Sequence, residues 1–172
     1  TFSTENGSII GTGIRYFQKP QIFTQYVGVL SGDGTSALLG ADERYAGWNY
    51  QGYGVWLTGM GTGSGTAGAA SIGATTVASN IPSAGSALFT GNAAGLYVSP
   101  EGAYGLTTAY MTADVSFSNR TVDLRTTSTS IATPAQLIAG DFGTLAPALD
   151  LSGTLSYAPG SNRMSGNVST AS

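Results

Sequence analysis

The sequence predicts an all-β fold, an antiparallel up-and-down β-barrel of about eight strands that can be incomplete at its C-terminus. Three observations lead to this prediction. Apolar and polar residues alternate from Ala109 to Ser118, the period expected of a strand with one buried face. Turns rich in glycine, of which the chain has 26, separate the apolar segments. Only one short segment has a helical pattern.

The composition gives a neutral, hydroxyl-rich surface and does not favour nucleic acid as a partner. Charged residues make up 9% of the 172 residues, well below the roughly 25% of an average soluble domain. Glycine and small hydroxyl residues take their place, which is typical of exported bacterial β-proteins. The six basic residues are scattered, so no basic stripe is available to neutralise phosphates.

The chain contains no cysteine and no histidine. Disulfides, thiolate metal sites and the usual general base are therefore excluded. The nine carboxylates are dispersed, and we predict neither catalytic residues nor a cofactor, hence not an enzyme. No segment approaches eighteen apolar residues, so no transmembrane helix is predicted. A transmembrane barrel, whose apolar residues would face lipid, is the structural alternative.

We predict two parts in the chain. Residues 1–43 form an N-terminal extension or a reduced, loop-rich handle domain, and residues 44–172 form the barrel domain. Within the extension, residues 22–30 and 37–39 have strand character. The turn between them contains Asp33. A single acidic turn of this kind is far more often a β-turn than a calcium site.

The segment Tyr45–Leu57 predicts an aromatic strand with two unlike faces. Trp48, Tyr50 and Trp56 share one face, and Tyr45, Tyr53, Val55 and Leu57 share the other. The favoured interpretation is that the tryptophan face fills the barrel interior. Alternatively, the outward aromatic face forms an anchor patch for a partner, and Tyr45 and Tyr53 are then the candidate ligand-binding residues.

Small-residue strands are predicted over 67–74 and 86–98, followed by a hairpin over 109–126. If Asn119 and Arg120 form its turn, Phe117 lies opposite Val122. Alternation then divides the barrel residues into two groups. Predicted inside are Met111, Val115, Phe117, Val122, Leu124, Leu151, Leu155 and Val168; predicted outside are Tyr110, Asp114, Asp123 and Arg125.

Two further elements complete the chain. Residues 133–140 predict one or two helical turns, because Thr133 can cap, Pro134 suits the first helical position and Gly140 ends the pattern. A last hairpin pairs residues 149–157 with residues 164–168 across a turn that contains proline and glycine.

Several segments together resemble the β-barrel domain of transferrin-binding protein B and its solute-binding relatives, over about residues 45–169. They are Tyr45-Ala46-Gly47-Trp48, Gly54-Val55-Trp56, Ala113-Asp114-Val115-Ser116-Phe117, Leu151-Ser152-Gly153-Thr154-Leu155 and the central stretch 85–97, with its threonine-glycine-asparagine-alanine break. The resemblance implies a barrel displayed on the outer leaflet of the outer membrane of a Gram-negative bacterium, or secreted. It also implies a host or environmental protein, or a small solute, as the captured partner.

The chain departs from this family at its C-terminus, where the closing segment with a phenylalanine-tyrosine-glycine-proline motif is missing. An incomplete barrel would leave a strand edge that another chain can fill. We therefore expect the gap to be filled by the N-terminal strand over residues 22–30, by a further segment of the same protein or by a partner, through self-association or strand addition. The alternative function is a structural subunit of a bacterial surface assembly, associating through exposed strand edges.

Overall fold

The structure is a computed structural model that describes residues 3–5, 8–10, 15–17, 27–31, 33, 35–41, 51–60, 62–133, 135–136, 139, 141 and 143–170. Within these residues the structure has thirteen strands and two 3-10 turns, besides a helical turn that follows Thr133. The strands are β1 (Ser3–Glu5), β2 (Ser8–Ile10), β3 (Arg15–Phe17), β4 (Val27–Leu30), β5 (Ala37–Ala41), β6 (Gln51–Leu57), β7 (Ala67–Gly73), β8 (Ser86–Val98), β9 (Tyr104–Ser116), β10 (Thr121–Ala132), β11 (Thr144–Leu145), β12 (Leu151–Tyr157) and β13 (Met164–Thr170). The 3-10 turns are Ala78–Asn80 and Pro147–Leu149.

These strands form three sheets. Strands β1 and β2 pair with each other; a five-stranded sheet has the order β3-β4-β5-β6-β7; and a six-stranded sheet has the order β13-β12-β10-β9-β8, with β11 beside β10. The all-β prediction is confirmed. The structure shows no clear barrel, because both larger sheets are open in the part of the chain that the structure describes. Alternation specifies which face of a strand is buried, but it does not specify which strands pair to close a sheet.

The described residues divide into two compact units. The first draws on Thr1–Gly73, Ala94–Thr108 and Ile131–Thr144, and the second on Ala74–Ala93, Ala109–Ser130 and Leu145–Ser172. The boundary predicted after residue 43 falls inside the five-stranded sheet, where β5 pairs with β6 from Ala37↔Leu57 to Ala41↔Tyr53. A cross-strand ladder therefore joins the predicted extension to the strand that follows it.

The core of the first unit is built by alternation on β5 and β6. Leu39 lies opposite Val55, and Ala37 lies opposite Leu57. All four side chains are buried, together with Met60, Leu106 and Ala132. Because residues two apart on a strand share a face, one side of each strand supplies the whole apolar layer.

In the second unit, strand β10 changes its partner near Ser128. Before Ser128, residues Thr121–Arg125 pair with β12. After it, the neighbour is the segment around β11, where the Ala146 N–H donates to the Thr129 carbonyl. Ser128 has a φ of 56°, a left-handed conformation that interrupts the ladder. The Asp150 carboxylate compensates for this interruption, because it accepts the Thr129 N–H at 2.9 Å and the Thr129 hydroxyl at 2.6 Å.

The hairpin predicted over 109–126 is present, with a longer turn than expected. Strand β9 ends at Ser116 and β10 begins at Thr121, so the turn holds residues 117–120 rather than Asn119 and Arg120 alone. Phe117 therefore lies in the turn and not opposite Val122 on a strand, as predicted, and its N–H donates to the Gly85 carbonyl at 3.0 Å. This hydrogen bond to a residue distant in sequence is what the local pattern could not predict.

All four residues predicted outside are exposed, whereas two of the eight predicted inside are buried and four are half-buried. Val115 and Val122 are buried, Met111, Phe117, Leu124 and Leu155 are half-buried, and Tyr110, Asp114, Asp123 and Arg125 are exposed. Leu151 and Val168 are corrections, because both are exposed. They lie on β12 and β13, the last two strands at one end of an open sheet. Apolar and polar residues still alternate there, but both faces remain accessible to solvent.

The last two predicted elements are present in modified form. Thr133 caps a single helical turn, in which the Gln136 N–H donates to its hydroxyl and the Ala139 N–H donates to the Ala135 carbonyl. The final hairpin is β12 and β13, in register from Leu151↔Thr170 to Tyr157↔Met164. Leu149, predicted in that hairpin, belongs to a 3-10 turn that begins at a proline. No helix in the described ranges has the length and apolar character needed to cross a membrane.

Candidate functional site

An open groove of about 610 Å³ lies within the second unit, on the apolar side of its strands. Its volume falls in the range of roughly 300–1,000 Å³ that small-molecule sites occupy. Most of the lining is apolar or aromatic. The described lining residues are Thr75, Thr76, Ile81, Pro82, Phe89, Val115, Phe117, Tyr157, Ser161, Asn162, Arg163 and Met164.

Strand pairing positions the base of this groove. Tyr157 of β12 lies directly opposite Met164 of β13, so the two side chains leave the sheet on one face. The Tyr157 N–H also donates to the Arg120 carbonyl, which holds the end of β12 beside the 117–120 turn. Phe117, at the start of that turn, is thereby brought to the same end of the sheet.

The loop over residues 74–85 forms the other side of the groove. The Asn162 side-chain amide donates to the Thr76 carbonyl at 3.1 Å, across 86 residues of sequence. This hydrogen bond ties the loop to the turn before β13. Ile81 and Pro82 of the loop then face the groove together with Phe89, which is 53% exposed.

Two polar groups distinguish this groove from a plain apolar patch. Arg163 is exposed and is the one charged residue among the described lining residues. The Tyr157 hydroxyl is buried and has no hydrogen-bond partner in the described part of the chain. An unsatisfied buried hydroxyl costs about 1–3 kcal/mol, which makes its surroundings a site where a hydrogen-bonding ligand would be favoured.

The predicted ligand-binding pair, Tyr45 and Tyr53, is not brought together by the described residues. Tyr45 lies outside them. Tyr53 is half-buried and packs against the apolar core of the first unit, on the same face as Val55 and Leu57. A ligand-binding role for the two tyrosines stays a prediction.

The aromatic strand presents its faces in the opposite sense to the favoured interpretation. Trp48 and Tyr50 lie outside the described residues. Trp56 is half-buried on the face away from Val55 and Leu57, and its ring lies over Gly68 of β7. The glycine leaves room for the indole ring, so Trp56 is accommodated on the sheet surface rather than in the core.

The acidic turn at Asp33 uses its carboxylate internally. Asp33 Oδ1 accepts hydrogen bonds from the Ser31 hydroxyl, from the Thr35 N–H at 3.0 Å and from the Thr35 hydroxyl at 2.9 Å. The Ser31 hydrogen bond contributes most to lowering the pKa of Asp33 from 3.8 to about 2. Hydrogen bonds to the charged form favour it, as expected of an Asx-type turn.

This turn predicts a specific acid response. Since the folded pKa of Asp33 is below the unfolded value, its stabilising contribution is present above pH 3.8 and is lost as the pH falls through about 2. Carboxyl chemical shifts measured by NMR should show the low midpoint. The variant Ser31→Ala should raise that pKa toward 3.8, whereas Ser83→Ala, at an exposed position elsewhere, should not. A midpoint near 3.8 in the unmodified protein would contradict the proposed hydrogen bonds.

Comparisons with known proteins add no relative. No family model matches the chain, and neither a curated protein nor a solved structure matches it significantly. The resemblance to transferrin-binding protein B therefore stays an interpretation of the sequence alone. The groove was not predicted from the sequence. Its residues come from four separate segments, and no sequence pattern links these segments to one another.

Proposed function

We propose that this protein is a non-enzymatic binding protein that captures a small amphiphile in the groove of its second unit. The observation that carries this proposal is the combination of an open aromatic groove with a single cationic side chain, Arg163, in its described lining. The expected ligand has a flat apolar body, which fits Phe89, Phe117 and Met164, and one anionic group, which pairs with the guanidinium.

The chemistry of the lining favours binding over catalysis. The described lining residues include no carboxylate, and the chain has no histidine or cysteine to act as a base or nucleophile. No group of three or more acidic side chains in the described ranges is arranged to hold a metal ion. Hydroxyls, an amide and a guanidinium are suited to orienting a ligand rather than transforming it.

The composition and the resemblance support placing this binding protein at the bacterial surface or outside the cell. A weakly charged, hydroxyl-rich chain is typical of exported bacterial β-proteins. The family that the sequence resembles contains capture proteins of the outer leaflet. The proposal differs from that family in the site, which is a groove on an open sheet and not part of a closed barrel.

A second candidate function is a structural subunit that assembles through strand edges. The observation in its favour is the position of β13 at the end of the six-stranded sheet, with every residue exposed. An uncovered strand edge is a template for pairing with another chain.

Binding of anilinonaphthalene sulfonate, which has an aromatic body and one anionic group, tests the groove. Phe89→Ala should weaken binding about tenfold, which corresponds to about 1.4 kcal/mol. Leu88→Ala is the matched control, because Leu88 is the neighbouring exposed residue of β8, is 67% exposed and does not line the groove. Equal effects of the two substitutions would contradict the proposal.

The charge of Arg163 is tested with the same probe. Arg163→Gln should weaken binding of the sulfonate several-fold and should leave binding of neutral phenylnaphthylamine unchanged, because only the anionic probe pairs with the guanidinium. Arg125→Gln, at an exposed position of β10, is the control. If both probes respond equally to Arg163→Gln, the guanidinium does not recognise an anionic group.

A further inference from the structure

Strand β13 has one covered edge and one uncovered edge. It pairs with β12 through seven residues, from Met164↔Tyr157 to Thr170↔Leu151. It is the end strand of its sheet, and among the described residues it has no second neighbour. Its outward N–H and carbonyl groups therefore have no strand partner in the described part of the chain, and all seven residues are exposed.

This edge lacks the usual features that prevent pairing with another chain. Natural edge strands are protected by charged residues, by proline or by bulges. Residues 164–170 contain no charge and no proline, and the ladder to β12 continues without a bulge. Met164 and Val168 are 53% and 45% exposed on one face, so the edge is also partly apolar.

We propose that β13 pairs antiparallel with β13 of a second copy of this chain, across a two-fold axis at Asn167. In this register Asn167 lies opposite its own copy, Gly166 opposite Val168, Ser165 opposite Ser169 and Met164 opposite Thr170. The sequence is complementary to itself in this arrangement, as an isologous interface requires. No charged residues are opposed, and the pairing does not depend on the groove binding a ligand.

The contact between Gly166 and Val168 repeats one that the chain already makes. Val168 lies opposite Gly153 of β12, and Leu155 lies opposite Gly166. A Cβ at Gly153 would collide with the Asn167 carbonyl oxygen and would be 2.9 Å from both Cα and Cγ1 of Val168, so the β13 backbone and the valine side chain together occupy the space that the glycine leaves free. In the dimer, Val168 would have a glycine on both neighbouring strands, and the pair would occur twice because of the two-fold symmetry.

The opposite face supplies compatible polar pairs. Ser165, Asn167 and Ser169 alternate with the apolar residues and share the face of Asp123 and Thr154. Serine hydroxyls and asparagine amides both donate and accept hydrogen bonds, so identical or similar residues can pair across the axis. The product would be one continuous sheet formed from two chains.

A single cysteine at the axis tests this arrangement directly. The chain has no cysteine, so Asn167→Cys introduces the only thiol. Directly opposed residues in an antiparallel pair have Cα atoms about 4.5–5.5 Å apart, within the range that a disulfide spans. Mild oxidation should therefore convert Asn167→Cys to a covalent dimer, whereas Ser156→Cys, on the same face of inner strand β12, should stay largely monomeric.

Sedimentation measurements provide the second test, on the unmodified protein and on variants with a charge at residue 167. The unmodified protein should have twice the 17.3 kDa chain mass. Asn167→Asp and Asn167→Lys should each weaken dimerisation at least tenfold, because like charges meet at the axis, and an equimolar mixture of the two should restore it. Ser156→Asp and Ser156→Lys are controls, and far-UV circular dichroism checks that every variant is folded.

Three results would overturn the proposal. The first is an unmodified protein that stays monomeric up to submillimolar concentration. The second is a dimer that is indifferent to charge at residue 167, which would place the interface elsewhere. The third is equal oxidative cross-linking of Asn167→Cys and Ser156→Cys. Pairing of β13 with a different protein, and not with itself, would give the first result.

Discussion

Leu106→Ala is expected to lower the free energy of unfolding by about 2–5 kcal/mol. Leu106 is 2% exposed and belongs to the core of the first unit, together with Leu39, Val55 and Ala132. The substitution removes apolar contacts and leaves a cavity, and the flanking strands limit how far the site can collapse. Leu39→Ala, at the other large side chain that is fully buried, should have a similar effect.

Urea denaturation with a fluorescence or circular dichroism readout measures this loss. The midpoint of the transition that reports the first unit should fall while its slope stays unchanged. Ile72→Ala removes the same number of carbon atoms from a side chain of the first unit that is 67% exposed, and it should change stability by no more than about 0.5 kcal/mol. A similar midpoint for Leu106→Ala and Ile72→Ala would show that the first unit is not packed around Leu106.

Gly143→Ala is expected to destabilise the first unit by about 2–5 kcal/mol through two additive causes. Gly143 has a φ of 87°, where a side chain costs about 1–2 kcal/mol. A Cβ would also collide with the Ile131 carbonyl and with Ala132 Cα at 2.6 Å, and these backbone atoms belong to β10. Overpacking of this kind adds about 1–3 kcal/mol.

Gly102→Ala separates the two causes. Gly102 belongs to the same unit as Gly143 and has a φ of 84°, nearly the same as Gly143, but a Cβ there meets no atom within 4 Å. It should therefore cost only the conformational part, about 1–2 kcal/mol. Thermal and urea unfolding of both variants measure the difference. Equal losses would mean that Gly143 is required for its conformation alone, not for its close approach to β10.

The hairpins were predictable because their information is local. Alternation over residues 109–126 and 149–168 identified both strand pairs and, in the first of them, the buried residues Val115 and Val122. The length of the 117–120 turn was not predictable in the same way. Phe117 lies in this turn, and its N–H donates to the Gly85 carbonyl. The two residues are 32 positions apart in sequence.

The groove shows the limit of sequence interpretation most clearly. Phe89, Phe117 and Tyr157 each lie in ordinary strand patterns, and none is distinguished from a core aromatic by its neighbours in sequence. Their joint role follows only from strand order and from the hydrogen bond between Asn162 and Thr76. Of the two candidate tyrosines, Tyr45 lies outside the described residues, and Tyr53 lies on β6, whose outward face could not be assigned from alternation alone.

The amino-acid sequence by itself determined that the protein is all-β, that its strands are antiparallel hairpins and which residues of each hairpin share a face. These properties follow from period-two alternation and turn residues, which act over a few positions. Only the tertiary structure decided that the sheets stay open in the described chain, that β10 changes partner at Ser128 and that β13 is an end strand. Strand order depends on pairings between segments far apart in the chain, and a face that alternation marks as apolar is buried only if another element covers it.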